Sequence, residues 1–224
     1  MLKINPLKTD LLEADDRGFT LVELLVAIVI LGIIAVPLGN VMIGYLRNTD
    51  ATTARLSESH DAQISATYFH ADVASVGVRS TTYSSDPSAP YPFTQSIEQN
   101  APATSGLFPC GTAATPNAVI RFGWDDYASG AAATPTRMRV AYVAQTDATG
   151  QQELHRLVCA GSATVVTDTV IAHDLVSVSA SCASPTACES STPPLIVNMV
   201  LTIHDPQATD TNYQIELTGQ RRQS

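Results

Sequence analysis

Hydrophobic residues fill almost every position from residue 19 to 43, and beyond Arg47 they thin to a recurring minority. The unbroken run predicts a membrane-spanning helix, because about 20 apolar residues cross a hydrocarbon core of about 30 Å. In the next segment Leu56, Ala62, Ile64, Tyr68, Phe69 and Val73 to Val76 form an apolar stripe against Arg55, Glu58, Asp61 and Asp72. That is the pattern of a helix lying on a sheet. Together the two patterns predict one helix over 19–76. Pro37 and Gly39 predict a bend in it and not a break, since membrane helices tolerate the hydrogen bond that a proline removes. Gly77 is the expected C-cap.

Residues 78–117 lose this periodicity and are rich in Ser, Thr, Pro and Ala. They predict an irregular connection, packed in part through Tyr91, Phe93 and Phe108, of the length that tends to carry function. From Ala118 short β-rich runs follow one another between turns. Strands are expected over 118–124, 137–145, 153–159, 164–171, 175–181, 195–204 and 213–219, with hairpin turns at 147–150 and 205–210. A long helix on a mainly antiparallel sheet is an α+β layout. The expected division is residues 1–18, a leader; 19–46, an apolar helix; 47–77, its amphipathic continuation; 78–117, the connection; and 118–224, a β-rich head.

One carboxylate stands inside the apolar run. A charge there costs about 3 kcal/mol by insertion scales, so Glu23 calls for a partner. Arg17 is six residues away, and a helix brings together residues three or four apart. The partner must come from processing or from another chain. The stretch Gly18-Phe19-Thr20-Leu21-Val22-Glu23, preceded by a short polar leader with Lys3, Lys8 and Arg17, resembles the cleavage and methylation motif of type IV prepilins and of the pseudopilins of type II secretion and competence systems. The resemblance covers about residues 17–76 and implies the pilin architecture just outlined. It implies that a prepilin peptidase cuts between Gly18 and Phe19, that Phe19 becomes the N-methylated terminus, and that Glu23 pairs with a terminal amine during filament assembly. It further implies a single-pass protein of the inner or cytoplasmic membrane that passes into an extracytoplasmic filament, with other pilin or pseudopilin subunits as partners. The large head, and the run from Tyr68 to Val73, resemble a minor subunit of the J type. The leader departs from the pattern in carrying Asp10, Glu13, Asp15 and Asp16, although acidic residues contribute little to membrane orientation.

Composition narrows the remaining chemistry. A formal charge of −9, with both lysines in the leader, disfavours nucleic acid, whose phosphates need clustered basic residues. The basic pairs Arg137/Arg139 and Arg221/Arg222 would have to form a patch to change that. Four cysteines, Cys110, Cys159, Cys182 and Cys188, all follow the apolar run. An even number there predicts disulfides, with three pairings open; Cys182 and Cys188 flank a short loop, leaving Cys110 with Cys159. The five histidines are scattered and no CxxC knuckle occurs, so no metal site is expected. Asp125-Asp126 and the 205–210 turn lack EF-hand spacing and read as turn residues. No nucleophile elbow or phosphate loop appears, so neither an enzyme nor a cofactor is expected. An anchored exported binding module is the alternative reading.

Overall fold

The structure, a computed structural model, describes residues 18–127, 134–183, 186–206 and 212–222. The leader and most of the 205–210 turn lie outside the described residues. Among the described residues a single helix, α1 (Leu21–Ser75), precedes ten strands: β1 (Val78–Arg79), β2 (Phe93–Thr94), β3 (Ile97–Ala101), β4 (Ala118–Asp126), β5 (Thr136–Thr146), β6 (Gln152–Ala160), β7 (Val165–Ala172), β8 (Leu175–Cys182), β9 (Ile196–Ile203) and β10 (Tyr213–Gln220). The α+β layout expected from the pattern is present. α1 runs on without interruption through Pro37. Contacts divide the chain inside α1, into a first unit ending at Asn48 and a second comprising Thr49–Ser224.

In the second unit all pairings within the sheets are antiparallel. Strands lie in the order β3-β4-β5-β6-β7 in a five-stranded sheet, β10-β9-β8 in a three-stranded sheet, and β1-β2 as a small ribbon. Phe69, Val73 and Val76 from the helical side meet Ile120 and Phe122 of β4, Tyr142 of β5, Leu201 of β9 and Leu217 of β10 in one core. The rings of Phe69, Phe122 and Tyr142 stand 5.8–6.0 Å apart in tilted and edge-on pairs, the geometry aromatic quadrupoles favour. Gly219 lets β10 approach α1, since a Cβ there would meet the side chain of Val73.

Two expectations need correction. Asp61 and Asp72 do not belong to the solvent face of α1: they are 4% and 3% exposed. Leu56, by contrast, is 67% exposed. The buried positions Ala54, Asp61, Ser65, Phe69, Asp72 and Val73 recur at helical spacing, so the polar groups share the core stripe. Each is satisfied by the sheet. Asp72 accepts from Tyr142 Oη at 2.6 Å and from Arg156 Nε and Nη2 at 2.7 and 2.6 Å, and Arg156 also lies over the Tyr68 ring at 4.8 Å. Burial, then the Asp72 charge, pushes the Tyr142 phenol well above its usual range, which keeps it a donor. Burial alone would lower the Arg156 pKa, but Asp72 outweighs it and the net shift is upward. Asp61 accepts from the His173 backbone N–H at 2.7 Å, and Ser65 donates to the Ile171 carbonyl at 2.7 Å.

The second correction concerns residues 78–117, which hold three strands and a cover for the outer face of the larger sheet. Glu98 on β3 pairs with Arg121 on β4 at 2.8 Å, the Arg121 side chain being fully buried. Arg121 also donates to the carbonyls of Pro102 and Ser105, and Glu98 accepts from the backbone N–H groups of Leu107 and Phe108. This ion pair therefore folds the loop. Gly106 must be glycine on two grounds: its φ is +92°, and a Cβ would strike both Glu98 and Arg121. Of the three possible pairings, the cysteines form Cys110–Cys159 and Cys182–Cys188. The first joins the cover to β6 and packs with Ala118, Ala141, Val143 and Leu157 in a second apolar cluster.

Candidate processing and assembly site

The Gly18–Phe19 junction precedes the helix in non-helical backbone, and Phe19 is 78% exposed. Among the described residues Gly18 has no neighbour that a side chain would meet.

Helix α1 begins with a device that the sequence reading missed. The Glu23 N–H donates to Thr20 Oγ1 at 3.2 Å, while the Thr20 N–H and hydroxyl donate to Glu23 Oε2 at 3.4 Å each. The Leu24 N–H donates to the Thr20 carbonyl at 3.1 Å and closes the first helical turn. This reciprocal arrangement is a capping box, in which the N-cap hydroxyl and the carboxylate three residues on each satisfy one orphan amide of the helix end. Its signal, a Thr three residues before a Glu at the head of an apolar run, was available in the sequence. The partner that Glu23 lacks along the helix is thus supplied in part by Thr20. At 3.4 Å the carboxylate contacts are long, and Glu23 remains available to a stronger donor. It stands in the first turn of α1, at the positive end of the helix dipole.

From Leu21 to Leu46 the side chains of α1 are exposed: Leu21 80%, Leu31 70%, Val36 67% and Leu46 51% mark successive faces. The segment is long and apolar enough to cross a membrane by length and composition. Pro37 lies within this stretch of helix and Gly39 has open space around it.

Residues 14–39 match the prokaryotic N-terminal methylation motif. The matched stretch includes Gly18, Phe19, the capping box, Pro37 and Gly39. It supports a type IV pilin- or pseudopilin-like family, and with the apolar helix it is consistent with membrane anchoring before assembly with other pilin subunits. Neither a curated protein nor a solved structure matches the chain.

The remaining sequence candidates fall elsewhere. Asp125 is engaged by Arg137, whose Nε donates at 2.6 Å. Asp147 holds its hairpin turn by accepting from the Thr149 hydroxyl and from the N–H groups of Thr149 and Gln151; the hydroxyl bond first, then the backbone bonds, hold its carboxyl below the usual range. His155 contacts Asp168 at 2.7 Å and Glu153 at 3.3 Å. Among the described residues no group of three or more His, Cys, Asp or Glu side chains is arranged to hold a metal ion.

Proposed function

We propose that the chain is a minor pilin or pseudopilin, a structural subunit of a type IV pilus-like filament. The observation that carries this reading is the methylation motif running directly into a fully exposed apolar helix. A prepilin peptidase cuts after Gly18, and Phe19 becomes the N-methylated terminus. The new amine, cationic even when methylated, then lies one helical turn from Glu23. It competes for the carboxylate with Thr20, whose contacts at 3.4 Å are long and come from uncharged donors. In a filament the amine of an adjacent subunit completes the pair. An unpaired charge in the apolar packing is strongly disfavoured, so the pairing sets the axial register while the exposed face of α1 buries itself against sister helices. The role is structural and not catalytic. The large head and its covering insert favour a minor subunit, of the J type on the run Tyr68 to Val73, working in a secretion, pilus or DNA-uptake machine.

Intact-mass analysis of the protein from cells that contain the processing peptidase tests the reading. The expected species begins at N-methyl-Phe19, and Glu23→Val is expected to be processed yet lost from filaments. A chain that still begins at Met1 would sink the proposal and favour an anchored binding module.

A further inference from the structure

Exposed aromatic rings are unevenly spread over the second unit. Among its described residues they are Tyr68, Tyr83, Tyr91, Tyr127 and Tyr213, and most of them gather at one place. Tyr91 and Tyr127, 48% and 66% exposed, line a cleft of about 440 Å³, and Tyr83 stands edge-on to Tyr91 with ring centroids 6.0 Å apart. Single exposed rings need no explanation, but rings that share a concavity hold apolar surface in water where a ligand could cover it.

The two walls of the cleft come from different parts of the chain and are held independently of any ligand. One is the start of the insert, where Arg79 pairs in register with Phe93 in the β1–β2 ribbon and the N–H groups of Ser80 and Ser84 donate to the Pro92 and Pro90 carbonyls at 2.8 Å each. Pro87, Pro90 and Pro92 further restrict this segment by fixing their own φ. The Arg79 guanidinium is engaged within the wall: it donates to the Tyr91 carbonyl at 3.0 Å and lies over the Phe93 ring at 4.1 Å. The other wall is formed by the paired ends of β4 and β5, where Asp125 is in register with Arg137. There Arg137 grips Asp125 as a fork, Nε to Oδ1 at 2.6 Å and Nη2 to Oδ2 at 3.4 Å, with the Asp125 side chain 10% and the Arg137 side chain 34% exposed.

This chemistry selects its ligand. An anion would have to displace Asp125 from Arg137, and a cation would meet two guanidinium groups, so the fitting ligand is neutral. It needs an apolar face for the tyrosine rings and groups that both donate and accept for the fork. A hydroxyl does both: it can donate to Asp125 Oδ2, whose contact with Arg137 is the long one, and accept from the guanidinium, which has only donors. Thr81 in the first wall adds a further hydroxyl. A pyranose ring carries this combination, a face of C–H groups and a rim of adjacent hydroxyls. We propose that the cleft binds a neutral pyranose unit of an oligosaccharide, stacked on the tyrosine rings with its hydroxyls bridging Asp125 and Arg137. The cleft has the size of a small-molecule site, and its preformed walls keep the cost of ordering on binding low. The site lies wholly in the second unit, so the inference stands apart from cleavage at Gly18 and from filament assembly.

The test uses the full chain in micelles of a sugar-free zwitterionic detergent, with cellotriose, maltotriose, mannotriose and chitotriose as separate probes and trigalacturonate as the anionic comparison. Saturation-transfer NMR should show a neutral trisaccharide bound, with transfer strongest to the C–H protons of one ring face. Tyr91→Ala/Tyr127→Ala should weaken that binding by about tenfold or more, while unfolding followed by Trp124 fluorescence is kept, since both rings are exposed. Tyr127→Phe should retain the binding, because stacking needs the ring face and not its hydroxyl. Asp125→Asn should lower it by about tenfold through loss of the fork; should that variant not fold, the tyrosine variants still decide. No neutral trisaccharide bound by folded protein, binding that survives Tyr91→Ala/Tyr127→Ala, or tighter binding of trigalacturonate would overturn the proposal.

Discussion

The two halves of α1 handle carboxylates in opposite ways. In the first unit Glu23 is exposed and, among the described residues, held within one helical turn by Thr20. In the second unit Asp61 and Asp72 are buried and held by residues as many as 112 and 84 positions away. A carboxylate whose partners are local and weak is free to exchange them, which suits an assembly contact. One whose partners are distant and numerous locks the helix to the sheet, which suits a scaffold. The same side-chain chemistry serves either purpose according to where the compensating charge comes from.

The contrast is broken most severely by Asp72→Ala, which strands the Arg156 guanidinium and the Tyr142 hydroxyl. Loss of one partner of a buried pair costs about 3–5 kcal/mol, and denaturant unfolding followed by the single Trp124 should register it. An unchanged midpoint would mean that Asp72 is not the lock. Next in size is the disulfide tying the covering insert to β6. Cys110→Ala/Cys159→Ala opens a loop with a sequence separation of 49, worth about 4 kcal/mol by chain entropy, against about 2 kcal/mol for the short loop closed by Cys182–Cys188. Comparing the two double variants by thermal unfolding checks the order, and equal losses would contradict it.

A sharper test of the local half is Thr20→Ala. Removing an N-cap costs about 1 kcal/mol of helix stability. Helicity at the first turn, read by amide exchange in micelles, should fall while unfolding of the second unit stays put. A drop in head stability would show that the halves are coupled. The smallest effect is expected in the small cleft lined by Glu58, Asp61, Asp174 and Asp205. Burial, then Asp205, raises the pKa of Asp174 in the folded state, so the native form binds more protons than the unfolded form. Its contribution therefore destabilises as pH rises through the shifted value and is relieved as pH falls. Asp174→Asn should stabilise slightly at neutral pH, by less than about 0.5 kcal/mol, and should flatten the pH dependence between the ordinary carboxylate value and the raised one. Its φ of +50° is one that Asn adopts readily.

Legibility differs between the same two regions. Helix α1 was readable because a continuous apolar run and a three-to-four periodicity are properties of neighbouring residues. The same holds for the seven strands from Ala118 onward, whose β-rich runs stand between recognisable turns. The Gly18 to Glu23 motif is contiguous too, and its capping box was legible though overlooked. Residues 78–117 were not readable as structure, because β3 exists through its ladder to β4 and the loop after it folds around the Glu98–Arg121 pair. Neither leaves a local period.

By itself, then, the sequence determined the processing motif, the apolar helix, the α+β class and the succession of strands, all of which depend on residues close together along the chain. The tertiary structure alone decided that Asp61 and Asp72 face inward, and that Glu58, Asp61, Asp174 and Asp205, far apart along the chain, line one cleft. A buried charge is tolerable only where a distant partner compensates its lost hydration, and that partner is specified by how the sheet folds back on the helix.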